Sequence, residues 1–165
     1  SVEKFIIGKD LVSEFQVFLK EMAGLDLQLD KVRIGFGMDD VFVQKTPKKN
    51  LVFNAVSSSG TKCLMLFYYW LKHFDDVEFL YMDEFDAYYH YELATNVLKK
   101  VAEFDHIQAI LTSHNTTMVS NDILRPDCYL QLSDGKVRPF SDLTDRELRE
   151  GHNLEKMLRN GEFDV

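Results

Sequence analysis

Hydrophobic positions along the chain fall into two regimes. Leu11, Phe15, Phe18, Leu19 and Met22 lie on one face of a helix, which Gly24 would stop. Ser13 with Gln16 resembles a capping box near its start. Leu25, Leu27 and Leu29 then alternate, as do Val32, Ile34 and Phe36. Their phase slips by one between Asp30 and Lys31, which predicts a turn or bulge there. Two further strands are read over Val41 to Gln44 and Leu51 to Val56, joined through Thr46-Pro47-Lys48-Lys49-Asn50. The first third is thus a helix followed by mostly antiparallel β structure.

At Ser57 the pattern changes. Ser57-Ser58-Ser59-Gly60 opens a helix to about Phe74, with Leu64, Phe67, Tyr68 and Leu71 on one face. Glu78 to Met82 reads as a buried strand ending in Asp83-Glu84. A helix with Leu93, Val97, Val101 and Phe104 inward follows, then a second buried strand, Ile107 to Leu111, ending in Thr112-Ser113-His114-Asn115. Strand, helix, strand is a βαβ unit and predicts a parallel pair. Tyr129 to Leu132 and Lys136 to Val137 flank Asp134-Gly135, a hairpin signal. From Thr144 the chain is charged and partly helical in pattern. Arg146, Arg149 and Arg159 interleave there with Glu147, Glu150 and Glu155, as on a solvated helix face.

Composition narrows the class. The 165 residues are 45% hydrophobic and 28% charged, an ordinary globular balance that excludes disorder and low complexity. There is no internal repeat, no long linker, no visible signal peptide and no apolar run of the ~18–20 residues that span a bilayer. Nineteen Lys plus Arg against twenty-seven Asp plus Glu leave a net charge of −8. That argues against binding nucleic acid or anionic membranes by bulk charge. Lys45, Lys48 and Lys49 around Pro47 read as a solvated hairpin tip, with a local basic patch as the alternative. Cys63 and Cys128 form no CxxC pair and fit buried thiols in a reducing cytoplasm. Met38-Asp39-Asp40 reads as a turn after Gly37 rather than a metal site, and Phe67-Tyr68-Tyr69-Trp70 as helix core with one face exposed.

Both buried strands end in residues with chemistry to offer. Ligands of open parallel sheets sit beyond the carboxyl ends of the strands, so Asp83, Glu84 and His114 should share one edge. An apolar strand followed by Asp-Glu is the Walker B pattern. There the Asp holds Mg²⁺, a hard cation that takes oxygen ligands and keeps part of its water, and the Glu polarises the water attacking a γ-phosphate. The plainer reading is a helix start where acids offset the dipole. His114 at the end of the next strand could donate to a γ-phosphate, the plainer reading being an ordinary surface or core histidine. Ser58-Ser59-Gly60-Thr61 offers hydroxyls and free amides at a helix N-terminus, hence an anion site, or simply an N-cap.

Taken in order, SSSGT, FLYMDEFDA and LTSHN resemble the C-terminal half of an ABC-type ATPase head, over roughly Phe53 to Phe140. The resemblance is strongest to soluble bacterial AAA/ABC-hybrid ATPases of the OLD and abortive-infection kind. It implies an α/β fold, a partial P-loop NTPase with a parallel βαβ core and an antiparallel β/helical segment on its N-terminal side. Residues 1–56 would be an insertion between P-loop and signature, 57–143 the signature, Walker B and switch-His core, and 144–165 a charged tail. Ser58, Ser59, Gly60 and Thr61 would bind nucleotide, Ser58 and Gly60 matching the Ser and second Gly of LSGGQ. Asp83 would hold Mg²⁺, Glu84 would be the catalytic base and His114 the switch His. The cofactors implied are ATP and Mg²⁺.

The departures are specific. No GxxxxGK[ST] occurs in the chain, Phe85 stands where transporters have Pro, and His90 falls at the D-loop Asp position, with Asp86 earlier in the loop. Truncation would account for the first, which would place the P-loop upstream of Ser1. The partners implied are that N-terminal half, a second copy closing head-to-tail over two nucleotides, and a nucleic acid or effector chain, with no membrane insertion. A cytoplasmic ATPase of phage defence is the leading expectation. The alternatives are a non-catalytic interaction or regulatory module, and an unrelated Mg²⁺ enzyme using Asp83, Glu84 and Asp86.

Overall fold

The computed structural model describes residues 1–34, 39–149 and 151–164. Chain order begins with α1 (Val2–Gly8), α2 (Val12–Ala23), β1 (Leu29–Ile34), β2 (Asp39–Lys45), β3 (Asn50–Val52), α3 (Phe53–Val56) and α4 (Ser59–Leu71). It continues with β4 (Phe79–Met82), α5 (Tyr91–Val101), β5 (Gln108–Leu111), β6 (Leu130–Ser133), β7 (Lys136–Pro139) and α6 (Leu154–Arg159). The result is a mixed α/β fold: β1-β2-β3 and β6-β7 are antiparallel, and β4-β5 is parallel.

Helix α2 forms where its apolar stripe predicts it and ends at Gly24, whose φ of 66° is the left-handed conformation glycine adopts without a Cβ penalty. Its start differs from expectation. Leu11 is the N-cap, Ser13 lies inside the helix, and no side chain caps it. Gln16 instead accepts the Leu29 N–H at 2.9 Å, tying α2 to the first strand. Before it, α1 docks on α4, with Phe5 meeting Tyr69 edge-on at 4.9 Å between ring centroids. Its apolar positions Val2, Phe5 and Ile6 stand at i, i+3 and i+4, but seven residues are too short a run for that spacing to single out a helix.

The predicted break between Asp30 and Lys31 does not form. β1 pairs with β2 without interruption from Leu29↔Gln44 to Ile34↔Asp39. Leu25 and Leu27 precede the strand in unpaired chain. The slip falls inside the strand: Leu29 faces the core, and Val32, three positions on, lies on the opposite face of β1. Phe36, Gly37 and Met38 lie outside the described residues, as does the Asp39 side chain, and the backbone of Asp39 and Asp40 belongs to β2, not to a turn. The Leu51–Val56 strand is also corrected: β3 ends at Val52 and Phe53 opens α3. Phe53 is fully buried against Phe15 and Phe42. Burying an aromatic ring there is worth about 1.5–3 kcal/mol, more than the weak strand preference of Val52 and Val56.

Phe15 is the centre of the main core, in ring contact with Phe18, Phe42, Phe53 and Tyr68. α4, α5 and the inner face of β4 close around it through Leu64, Phe67, Leu80, Leu93 and Val97. A smaller cluster holds the C-terminal part, where Phe163 stacks on Phe140 at 4.3 Å. The Asp134-Gly135 hairpin forms as the sequence predicts, both residues having positive φ. Among the described residues, no helix is long and apolar enough to cross a membrane.

One expectation about the parallel pair fails. Its strands are not buried on both faces: Phe79 is 56% exposed, Tyr81 54% and Ile110 39%. Leu80 faces the core, while Phe79, Tyr81 and Ile110 form an open apolar face. Both cysteines are free thiols, but Cys128 is exposed rather than buried.

Candidate functional site

Strands β4 and β5 run parallel in register, Phe79↔Gln108 through Met82↔Leu111. Their carboxyl ends therefore leave the sheet side by side, with Asp83-Glu84 on one and Thr112-Ser113-His114 on the other. The chain bends sharply after β4. Glu84 has φ 45°, left-handed backbone that costs a non-glycine residue about 1–2 kcal/mol. Its carbonyl accepts the Ala87 N–H at 2.9 Å, closing a turn.

The bend is held by the residues just after β5. The Thr112 N–H donates to the Met82 carbonyl at 2.9 Å, and the Phe85 N–H donates to the Thr112 carbonyl at 3.1 Å. Between them, the Thr112 hydroxyl donates to Asp83 Oδ1 at 2.6 Å and accepts the Glu84 N–H at 2.8 Å. Ser113 makes a parallel contact, its hydroxyl donating to Asp86 Oδ2 at 2.8 Å. His114 Nε2 lies 3.2 Å from Glu84 Oε1. Asp83 Oδ1 also accepts from Tyr81 Oη at 3.3 Å. The Asp83 charge, helped by slight desolvation and this hydrogen bond, pushes the Tyr81 phenol above its ordinary pKa and keeps it a donor.

Asp83, Glu84 and His114 are thus gathered at one edge, beside an open depression lined by Glu84, Asp86, Ala87, His114 and Asn115. Glu84 and His114 both face solvent. Asp86 turns to Ser113 instead of joining Asp83, and no group of three or more His, Cys, Asp or Glu gathers as a metal cage among the described residues. The donor set suits a cation that takes one protein carboxylate and draws its remaining ligands from water and phosphate, as Mg²⁺ does. Thr112, Ser113 and Tyr81 stand in the quoted motifs, but the roles of their hydroxyls depend on a bend that sequence does not reveal.

Ser58, Ser59, Gly60 and Thr61 form the first turn of α4 and its cap. Ser58 Oγ accepts the Thr61 N–H at 3.1 Å and is 2.9 Å from Thr61 Oγ1, so both hydroxyls serve the cap. The first-turn amides of Ser59 and Gly60 have no intrahelical acceptor. A Cβ on Gly60 would sit 2.8 Å from the Tyr88 carbonyl oxygen, so this turn packs backbone-to-backbone against the loop leaving the Glu84 bend. His90 is the backbone N-cap of α5 and makes no side-chain capping bond. Lys45 pairs with Asp30 at 2.5 Å, which leaves Lys48 and Lys49 at the hairpin tip.

A family described as "AAA domain, putative AbiEii toxin, Type IV TA system" matches residues 11–120. The chain belongs to this family. The matched span runs from the N-cap of α2 past His114 and so includes the α4 cap, the Glu84 bend and the end of β5. No curated protein matches the chain. An AAA domain is an ATPase-like unit, so ATP with Mg²⁺ is the family's general chemistry, and the description places the family among abortive-infection and toxin systems. The AAA-domain match leaves the β6-β7 hairpin and α6 outside it.

Proposed function

We propose that this AAA domain carries the hydrolytic half of an ATPase site of the ABC-like, OLD-related kind, used in bacterial defence. The observation that carries the reading is the pairing of Glu84 with His114 beside Asp83 at the carboxyl ends of adjacent parallel strands. In this reading Asp83 ligates Mg²⁺, with Oδ2 available while Oδ1 is held by Thr112. Glu84 orients and deprotonates the attacking water, and His114 donates to the γ-phosphate. Bound Mg-ATP supplies the electrophilic phosphorus and the leaving group; the chain's own part is positioning and electrostatics.

The sequence holds no GxxxxGK[ST], so the phosphate cradle comes from another segment. The open face of Phe79, Tyr81 and Ile110 supports that assignment, because parallel sheets are normally covered on both sides. The α4 turn Ser58-Thr61 serves in trans, its amides facing nucleotide held by a second copy in a head-to-tail dimer. Such a composite site makes specific ATPase activity rise with protein concentration in the full-length natural protein. Activity per molecule that stays constant from far below to far above the dimerisation range overturns the dimeric form.

The missing cradle motif also favours a second reading, a non-catalytic interaction module that keeps the fold. Mg-ATP binding by the full-length protein separates the two: saturable binding supports the ATPase, and none supports the module.

A further inference from the structure

Four consecutive residues, Met82 to Phe85, carry the chain from the end of β4 through the bend, and Thr112, the residue just after β5, is hydrogen-bonded to each. The Thr112 amide reaches the Met82 carbonyl, its hydroxyl reaches the Asp83 carboxylate and the Glu84 amide, and its carbonyl takes the Phe85 amide. Three of these bonds tie backbone to backbone or hydroxyl to backbone, and survive only if the bend has this shape. The fourth fixes a carboxylate. We propose that Thr112 is a positioning residue, whose single hydroxyl sets the rotamer of Asp83 and the left-handed backbone of Glu84 together.

The chemistry of the hydroxyl makes the assignment specific. It donates once, to Asp83 Oδ1 at 2.6 Å, and accepts once, from the Glu84 N–H at 2.8 Å. A side chain that only accepts would repel the carboxylate, and one that only donates would leave the amide unpaired. Ser provides both functions. Val matches the shape and strand preference of Thr and provides neither. Glu84 needs such a hold, because a positive φ in a non-glycine residue persists only where its surroundings enforce it. With Oδ1 occupied, Asp83 presents Oδ2 outward. With the amide pinned, the Glu84 side chain leaves the backbone toward His114. Thr112 thus couples the two acids without touching any reacting atom.

This inference rests on the ATPase reading, and its test keeps the two apart. Steady-state Mg-ATP hydrolysis is measured for the full-length natural protein, Thr112→Val, Thr112→Ser and Glu84→Gln. Thr112→Val should lower kcat by about tenfold to a hundredfold, as expected for losing a hydrogen bond to a charged group and a second to an amide. It should raise the Mg²⁺ concentration needed for half-maximal rate, with KM for ATP changing less than about threefold since no ATP contact is removed. Thr112→Ser should stay within about threefold of wild type in all three quantities.

A wild-type protein that does not hydrolyse ATP overturns the ATPase reading. Hydrolysis that Glu84→Gln abolishes but Thr112→Val leaves at the wild-type rate overturns the positioning role alone. So does Thr112→Ser falling as far as Thr112→Val. Hydrogen exchange on the wild-type protein needs no variant. The Glu84 amide should be protected well beyond its exposed neighbours in the loop, and exchange at the open-chain rate overturns the role.

Discussion

His114 Nε2 lies 3.2 Å from Glu84 Oε1, although the two residues stand thirty positions apart, beyond the ends of different strands. The parallel register of β4 and β5 creates this contact, because it brings both carboxyl ends to the same level of the sheet. In the proposed mechanism the imidazole orients the Glu84 carboxylate and meets the γ-phosphate. His114→Ala should therefore lower ATP turnover by about tenfold to a hundredfold while leaving ATP affinity within a few-fold. Turnover and binding measured side by side check this. Unchanged turnover would remove His114 from the site.

Gly60 is required by packing, independently of any nucleotide. Its missing Cβ makes room for the Tyr88 carbonyl oxygen, 2.8 Å from where that carbon would stand. Backbone cannot yield as a flexible side chain does. Gly60→Ala should cost about 1–3 kcal/mol of stability. Ser58→Ala, which removes the α4 cap, should cost about 1 kcal/mol. Thermal melts of both variants without nucleotide test these values, and wild-type melting for Gly60→Ala would contradict the close approach.

Acid sensitivity is built into the contact between α2 and α4. Lys72 donates to the Glu14 carboxylate and holds its pKa below the ordinary 4.5, chiefly through that hydrogen bond and against a smaller effect of burial. A carboxylate depressed in the folded state stabilises it above the unfolded value. That contribution disappears as the pH falls through the native value. The pair is half exposed, so its worth is at most about 1 kcal/mol. Glu14→Gln should lower the melting temperature slightly at neutral pH and converge on wild type in acid. A difference that persists below the native titration would contradict the assignment.

Much of this arrangement is legible in the sequence. Two apolar runs ending in Asp83-Glu84 and Thr112-Ser113-His114, with a helical stripe between them, identify the parallel pair and the edge it presents. Asp134-Gly135 gives the hairpin, and Gly24 gives the end of α2. These signals are local, so one chain suffices to read them. The misreadings share a different physics. Phe53 leaves the strand pattern because a fully buried ring in contact with Phe15 and Phe42 outweighs the propensity of its neighbours. Gln16 leaves its capping partner for the Leu29 amide, a contact thirteen residues away. Apolar runs read as buried strands, yet Phe79 and Tyr81 face outward. Thr112 stands in full view in the motif, but its meaning depends on the positive φ of Glu84 across the sheet edge.

The role of Glu84 as base is tested most directly by ATP turnover of Glu84→Gln in the full-length natural protein, with nucleotide binding measured on the same preparation. Mg-ATP should still bind and hydrolysis should fall by about a thousandfold or more, because the water loses its base while the phosphate contacts remain. Hydrolysis retained at the wild-type rate would contradict it and remove Glu84, and with it the edge shared by β4 and β5, from the chemistry.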